Sequence, residues 1–163
     1  MTGVANWLNQ GAALPLALIG LPLLGGVIAW LLGKRYALQV AAVLVFGLVN
    51  IFLSLALFLG GGADVTLPFA GYGFEGHFVA GGMSSVLLVF TSVVAFLLAR
   101  YSVSYFKGDT RGGEFLLFYF VSIGFVNGAL LSSNLPVMLV FWEGLLVCMG
   151  VLLLLGNLEK PRA

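Results

Sequence analysis

Five apolar runs, each long enough to cross a lipid bilayer, constrain the fold of this chain more than any other feature. We place them at residues 12–33, 37–59, 83–105, 114–131 and 135–156. A helix needs about 20 apolar residues to cross the hydrocarbon core. Because 61% of the residues are hydrophobic and only 8% are charged, a water-soluble fold could not hide the apolar surface. The sequence predicts an all-α integral membrane protein, with residues 1–163 in a single transmembrane helical domain.

One long connection interrupts this pattern of short turns between spans. Within residues 61–82, the segments VTLPF and HFVA are typical of two short strands, with the turn-rich AGYGFEG between them. We expect a short hairpin on the membrane surface.

The connector Ser132-Ser133-Asn134 is so short that the fourth and fifth spans must be antiparallel neighbours, and any of its three residues could cap the fifth. Pro22 removes a backbone bond inside the first span, which neighbouring helices must tolerate.

The basic residues predict the orientation of the chain. If the chain crosses the membrane five times, all seven fall on one side: Lys34, Arg35, Arg100, Lys107, Arg111, Lys160 and Arg162. Cytoplasmic loops are enriched in Lys and Arg. We therefore expect a cell (inner) membrane protein with the N-terminus and the hairpin outside and the C-terminus in the cytoplasm. The net charge of +1 argues against a nucleic-acid partner.

Glu143 is the only acidic residue in the interior of a span, because Glu114 belongs to the polar turn at the start of the fourth run. It lies nine residues into the fifth run, or about 13 Å along a helix, which is close to the bilayer midplane. A carboxyl group there stays ionised only if it is paired with a cation or faces a water-filled cavity. Without either, it is protonated. Such groups usually mark proton or ion pathways, although a neutral, hydrogen-bonded glutamate could also join helices. Arg100 lies near the cytoplasmic end of the third span and should snorkel to the interface. The spans otherwise contain no Lys, Arg or His, so a counter-charge must come from another subunit or a coupling ion.

Other polar residues form a possible minor path: Asn50, Ser54, Ser122, Asn127, Asn134 and His77. Those inside the spans could hydrate a path or merely join helices. His77 could relay protons at an exit or be an ordinary surface histidine. The single cysteine, Cys148, is expected to be a small buried apolar residue. No spacing predicts a metal site, a cofactor or a catalytic residue, so we expect none of these in this chain.

The third to fifth spans carry motifs of a known family. Asn134-Leu135 followed by Phe141-Trp142-Glu143 resembles the antiporter-like membrane subunits of respiratory complex I, membrane-bound hydrogenases and Mrp-type cation/proton antiporters. The Tyr-Ser-x-x-Tyr motif that begins at Tyr101 is similar to the family's third helix. The resemblance covers residues 75–157, and the first two spans agree in hydropathy only.

The resemblance implies a proton-translocating (or Na⁺/H⁺) module. In that family, the glutamate matching Glu143 interacts with a lysine on a later, broken helix, in a longer chain with inverted helical repeats. The sequence ends just after the glutamate helix, and Gly81-Gly82 stands where the family usually has an acidic residue. We expect either half of a split subunit, completed by a chain that supplies the lysine, or a shortened accessory subunit. Redox chemistry would lie in partner subunits.

Two other functions remain open on the sequence. The chain could be a structural or assembly subunit of such a complex, with Glu143 neutral and only hydrogen-bonded. It could also form an independent small transporter from several copies of the five-helix unit, although no intramembrane cation is present to balance Glu143.

Overall fold

The chain folds into five long helices and one hairpin in a computed structural model, which describes residues 13–32, 35–68, 75–109 and 111–157. The helices are α1 (Ala13–Leu31), α2 (Tyr36–Leu59), α3 (Met83–Tyr105), α4 (Gly112–Leu131) and α5 (Leu135–Asn157). All five are long and apolar enough to cross a membrane. The predicted all-α, multi-pass membrane fold is confirmed, and each predicted span matches a helix to within two residues at either end.

The first four helices form a closed ring, and the fifth lies beside it. Helix α1 packs on α2 and α4, and α3 packs on the same two helices. Helix α5 packs mainly against α4, as the short connector between them predicts. Only 6% of its most apolar stretch is buried, against 33% or more in each of the other helices. Most of the surface of α5 is therefore left uncovered by the residues that the structure describes.

Two apolar clusters and a polar layer between them fill the ring. The cluster nearer the hairpin consists of Leu18, Leu57, Val65, Phe78, Ala80, Leu88 and Leu131. The other consists of Ala29, Val43, Ala95, Ala99, Val103, Leu116, Phe120 and Ile123. On α2, α3 and α4, the buried residues Asn50, Ser92 and Asn127 separate the two clusters. Polar side chains point inward here because the lipid side offers no hydrogen-bond partners.

The predicted hairpin is present and closes one end of the ring. Strands β1 (Ala63–Pro68) and β2 (Glu75–Ala80) pair antiparallel, with Ala63 opposite Ala80. Their turn, residues 69–74, lies outside the described residues. Gly62 enters β1 with φ +103°, and a Cβ there would overlap the Ala80 carbonyl oxygen, so this tight entry requires glycine. We call this end of the bundle the hairpin end.

The described basic side chains lie at the opposite end, which we call the basic end: Arg35, Arg100, Lys107 and Arg111. Lys34, Lys160 and Arg162 lie outside the described residues. The Arg100 guanidinium donates to Ser104 Oγ at 2.8 Å, one turn closer to the end of α3, which is the direction expected for a snorkelling side chain. Arg111 Nη2 lies 2.7 Å from Asp109 Oδ2, and this hydrogen bond raises the pKa of the Arg111 guanidinium.

Candidate functional site

Glu143 lies on the side of α5 that faces away from α4. The contact face of α5 follows the helical repeat through Val137, Phe141, Gly144 and Cys148, which are half-buried or buried. Glu143 is two residues from Phe141, about 200° around the helix axis, and its side chain is exposed. The five described helices therefore leave this carboxylate on their outer surface.

The surface around Glu143 is apolar. Leu139, Leu146, Val147 and Gly150 occupy the same side of α5, and Leu146 and Val147 are 52% and 66% exposed. We call these residues, with Glu143, the free face of α5. Within the described ranges, no hydrogen bond or ion pair reaches the Glu143 carboxylate. The free face thus combines an exposed apolar surface with one ionisable group.

The packing of α5 on α4 fixes the depth of Glu143 in the bundle. The Phe141 ring occupies the space over Gly128, and the Phe125 ring lies where a Cβ on Gly144 would approach it to 2.8 Å. Because the two helices are antiparallel, these contacts set Glu143 level with residues 125–128 of α4. That segment contains Asn127, so Glu143 lies at the depth of the buried polar layer. Asn127, however, is fully buried inside the ring, and the structure does not bring the two side chains together.

A hydrogen-bonded chain of polar side chains joins four helices in that layer. Asn127 Nδ2 donates to the Leu18 carbonyl at 2.7 Å and to Asn50 Oδ1 at 3.2 Å, and Asn50 Nδ2 donates to Ser92 Oγ at 2.9 Å. In a regular helix the Leu18 carbonyl would accept from the residue four positions later, which is Pro22 and has no N–H. Asn127 thus supplies the donor that the proline removes.

Replacing Asn127 with Leu should therefore destabilise the bundle. The change keeps the approximate side-chain shape but leaves the Leu18 carbonyl and Asn50 Oδ1 without this donor, which should lower the free energy of unfolding by about 1–3 kcal/mol. Unfolding in mixed detergent micelles measures the loss. In the control Ser122→Ala, the lost hydroxyl donates to the Tyr119 carbonyl of its own helix, and we expect about 0.6 kcal/mol or less. Equal losses in both variants would contradict the role of Asn127.

The other predicted polar residues of the spans do not extend this chain towards Glu143. The Ser54 hydroxyl donates to the Ile51 carbonyl at 2.9 Å, and that of Ser122 donates to Tyr119 O at 2.6 Å, so each bonds its own helix. Beside Asn50 and Ser92 lies a cavity of about 10 Å³, which is room for about one water molecule. In this arrangement the amides join helices.

His77, Asp64 and Ser133 form a second polar cluster, at the hairpin end. His77 Nε2 lies 2.6 Å from Asp64 Oδ1, and His77 Nδ1 lies 2.5 Å from Ser133 Oγ. The Ser133 amide also donates to the His77 carbonyl at 2.9 Å. Asn134 follows directly and its carbonyl accepts from the Met138 amide in the first turn of α5. The sequence indicated His77 and Asn134 as possible path residues. It did not indicate Asp64 and Ser133, which are the hydrogen-bond partners of the imidazole in the structure.

A metal site requires an arrangement of several ligating side chains around one position. In the ranges that the structure describes, no group of three or more His, Cys, Asp or Glu side chains comes together around a possible metal position. Cys148 is 4% exposed against α4, as predicted for a small apolar residue.

Comparison of the chain with protein-family models and with curated proteins found no match.

Proposed function

We propose that this chain is a membrane subunit of a multisubunit proton-translocating (or Na⁺/H⁺) complex, and that Glu143 belongs to the intramembrane proton or charge-coupling path. The observation that carries the proposal is the exposure of Glu143 on the free face of α5, level with the polar layer of the ring. A carboxylate facing lipid at this depth would be costly. A partner that covers the free face removes this cost if it brings a cation or water to Glu143.

The apolar residues around Glu143 support a helix as the partner. Leu139, Leu146 and Gly150 recur on one side of α5 with the spacing of a helix–helix seam. A second spanning helix that packs here would bring its own side chains into contact with the carboxylate. The partner chemistry that fits is a transmembrane helix with a Lys or Arg at mid-depth, as the family resemblance implies.

The mechanism that follows is electrostatic. A cation that approaches Glu143 favours the ionised carboxylate and releases its proton, and withdrawal of the cation favours the protonated form again. The proton occupancy of Glu143 would then follow a charge that moves in the partner subunit. The two sites are coupled, because the state of each changes the free energy of the other. For this charge coupling, the chain has to supply only a positioned carboxylate on a helix with an exposed face.

The type of complex is inferred from the sequence motifs. Asn134-Leu135 and Phe141-Trp142-Glu143 resemble the membrane subunits of complex I, membrane-bound hydrogenases and Mrp antiporters. In such an assembly this chain is a non-catalytic subunit, and any redox centres belong to partners. The separation of the hairpin end from the basic end supports an orientation with the hairpin outside and the basic end in the cytoplasm of an inner membrane.

A photo-cross-linking amino acid at position 146 tests whether the free face is covered in native membranes. Leu146 is 52% exposed on this face, so we expect a cross-link to another polypeptide that carries a Lys or Arg within a span. The same amino acid at position 145, which is half-buried on the α4 side, is the control and should link only within the chain. A cross-link at position 146 to lipid alone, or to a second copy of this chain, would contradict the proposal.

A further inference from the structure

The Asp64–His77–Ser133 cluster engages both nitrogens of the imidazole ring. An ionised carboxylate can only accept hydrogen bonds, so the contact with Asp64 Oδ1 at 2.6 Å places the proton of a neutral ring on Nε2. Nδ1 is then an acceptor, and the Ser133 hydroxyl donates to it at 2.5 Å. The neutral ring is therefore fully hydrogen-bonded in a single tautomer.

The same atoms also accommodate a protonated ring. A second proton at Nδ1 turns this nitrogen into a donor, and the lone pairs of Ser133 Oγ can accept from it. The Ser133 hydroxyl proton then needs another acceptor, and the His77 carbonyl oxygen lies 3.0 Å from Ser133 Oγ. The imidazolium is balanced by the Asp64 carboxylate. Every donor keeps an acceptor when the charge changes, and no heavy atom has to move.

We propose that Asp64, His77 and Ser133 form a proton-binding site at the hairpin end, open to the adjoining aqueous phase. The His77 and Asp64 side chains are 39% and 69% exposed, so water can deliver and remove the proton. Among the charged side chains that the structure describes, Asp64 of β1 is the one beside the ring. The α4–α5 turn contributes only the uncharged Ser132, Ser133 and Asn134.

The site lies against the turn that leads into α5, the helix that carries Glu143. Ser133 lies two residues before the start of α5, and the Ser133 amide holds the His77 carbonyl at 2.9 Å. Phe78 also forms a backbone bridge to Ser132. Because these contacts use backbone groups, they do not depend on the charge of the ring. The site therefore exchanges a proton while the hairpin stays docked on the turn, and this property does not rest on the role of Glu143.

Nitrogen NMR of the full chain in nanodiscs, with ¹⁵N-labelled histidine, tests the proposal directly. The chain contains one histidine, so the ring signals report this site alone. For the neutral ring we expect an excess of about tenfold of the Nε2–H tautomer, since a charge-assisted hydrogen bond is roughly twice as strong as a neutral one. On acidification the signals should pass to those of the doubly protonated ring, which the same partners accommodate. The Ser133 amide should remain protected from exchange with solvent throughout.

Variants of the two partners separate this site from an ordinary surface histidine. Asp64→Asn should reduce the tautomer excess severalfold, and Ser133→Ala should change the Nδ1 signal of the neutral ring. The matched control is Ser132→Ala. This change removes a hydroxyl of the same turn, but that hydroxyl donates to the Gly128 carbonyl, so the ring signals should stay unchanged. The proposal is overturned if the ring takes up no second proton on acidification of the folded chain, if both tautomers are equally populated in the wild type, or if acidification exposes the Ser133 amide.

Discussion

Replacing Glu143 with Gln is expected to stop proton translocation by the complex without preventing its assembly. Gln keeps the size and hydrogen-bonding capacity of the side chain but cannot release a proton. If the proton path runs through Glu143, the flux should fall by about 100-fold or more, the range that a positioned proton-transfer group contributes. Because Glu143 is exposed on the free face and forms no hydrogen bond or ion pair with the described residues, the fold of the bundle should not change.

The measurement uses the complex purified through a tag on this chain and reconstituted into vesicles. Proton uptake is driven by an imposed membrane potential, so the assay does not require knowledge of the electron donor. Glu114→Gln is the matched control, since Glu114 is an exposed acidic residue in the first turn of α4, at the basic end. Glu143→Asp should retain part of the flux, because it keeps a carboxylate on the same helix face.

A Glu143→Gln complex that assembles and carries protons at the wild-type rate would rule out the coupling role. The chain would then be a structural subunit, with Glu143 as a neutral hydrogen-bonding group. Failure to assemble would instead show that the carboxylate holds the partner in place, and the photo-cross-link from position 146 would be lost with it.

Replacing Gly128 with Leu should displace α5 from α4 and prevent assembly of the complex. The Phe141 ring fills the space over Gly128, and the Phe125 ring packs on Gly144, so two interlocking glycine–phenylalanine contacts hold the helix pair together. Overpacking of such a contact costs about 1–3 kcal/mol, and α5 has few other contacts to compensate. The displaced helix would no longer present the free face at the correct angle and depth.

The single cysteine of the chain reports this displacement. Cys148 is 4% exposed against α4, so a membrane-permeant maleimide should label it slowly in the wild type and at least about fivefold faster after a loss of 1 kcal/mol in docking. Gly20→Leu in α1 is the control, because nothing lies within 4 Å of a Cβ at that position. Unchanged labelling and normal assembly in Gly128→Leu would show that the two contacts do not hold α5.

The sequence predicted the helices of this fold accurately because long apolar runs leave the backbone no other structure inside a bilayer. It also predicted the hairpin, whose strands extend from Ala63 to Pro68 and from Glu75 to Ala80. The contact face of α5 could not be predicted in the same way. That helix is apolar on nearly every side, so its periodicity does not distinguish Phe141, which packs on α4, from Leu139 or Val140, which are uncovered.

For the candidate sites, too, the sequence predicted some features and could not predict others. The position of Glu143 along the chain predicts its depth in the membrane. The direction of its side chain depends on two phenylalanine rings that pack over two glycines. The bond from Asn127 to the Leu18 carbonyl joins residues 109 positions apart, and the contact between His77 and Ser133 joins residues 56 positions apart. No local pattern encodes such pairs, because they arise only when the helices have packed.

The depth that α4 imposes on Glu143 has an electrical consequence. Moving one elementary charge through the whole membrane changes its energy by about 2.3 kcal/mol per 100 mV. A proton that reaches a carboxylate halfway across the bilayer passes through about half of that potential, or roughly 1.2 kcal/mol per 100 mV. If the proposed proton path runs through Glu143, its occupancy would therefore depend on the voltage of the membrane, even when no other part of the protein moves.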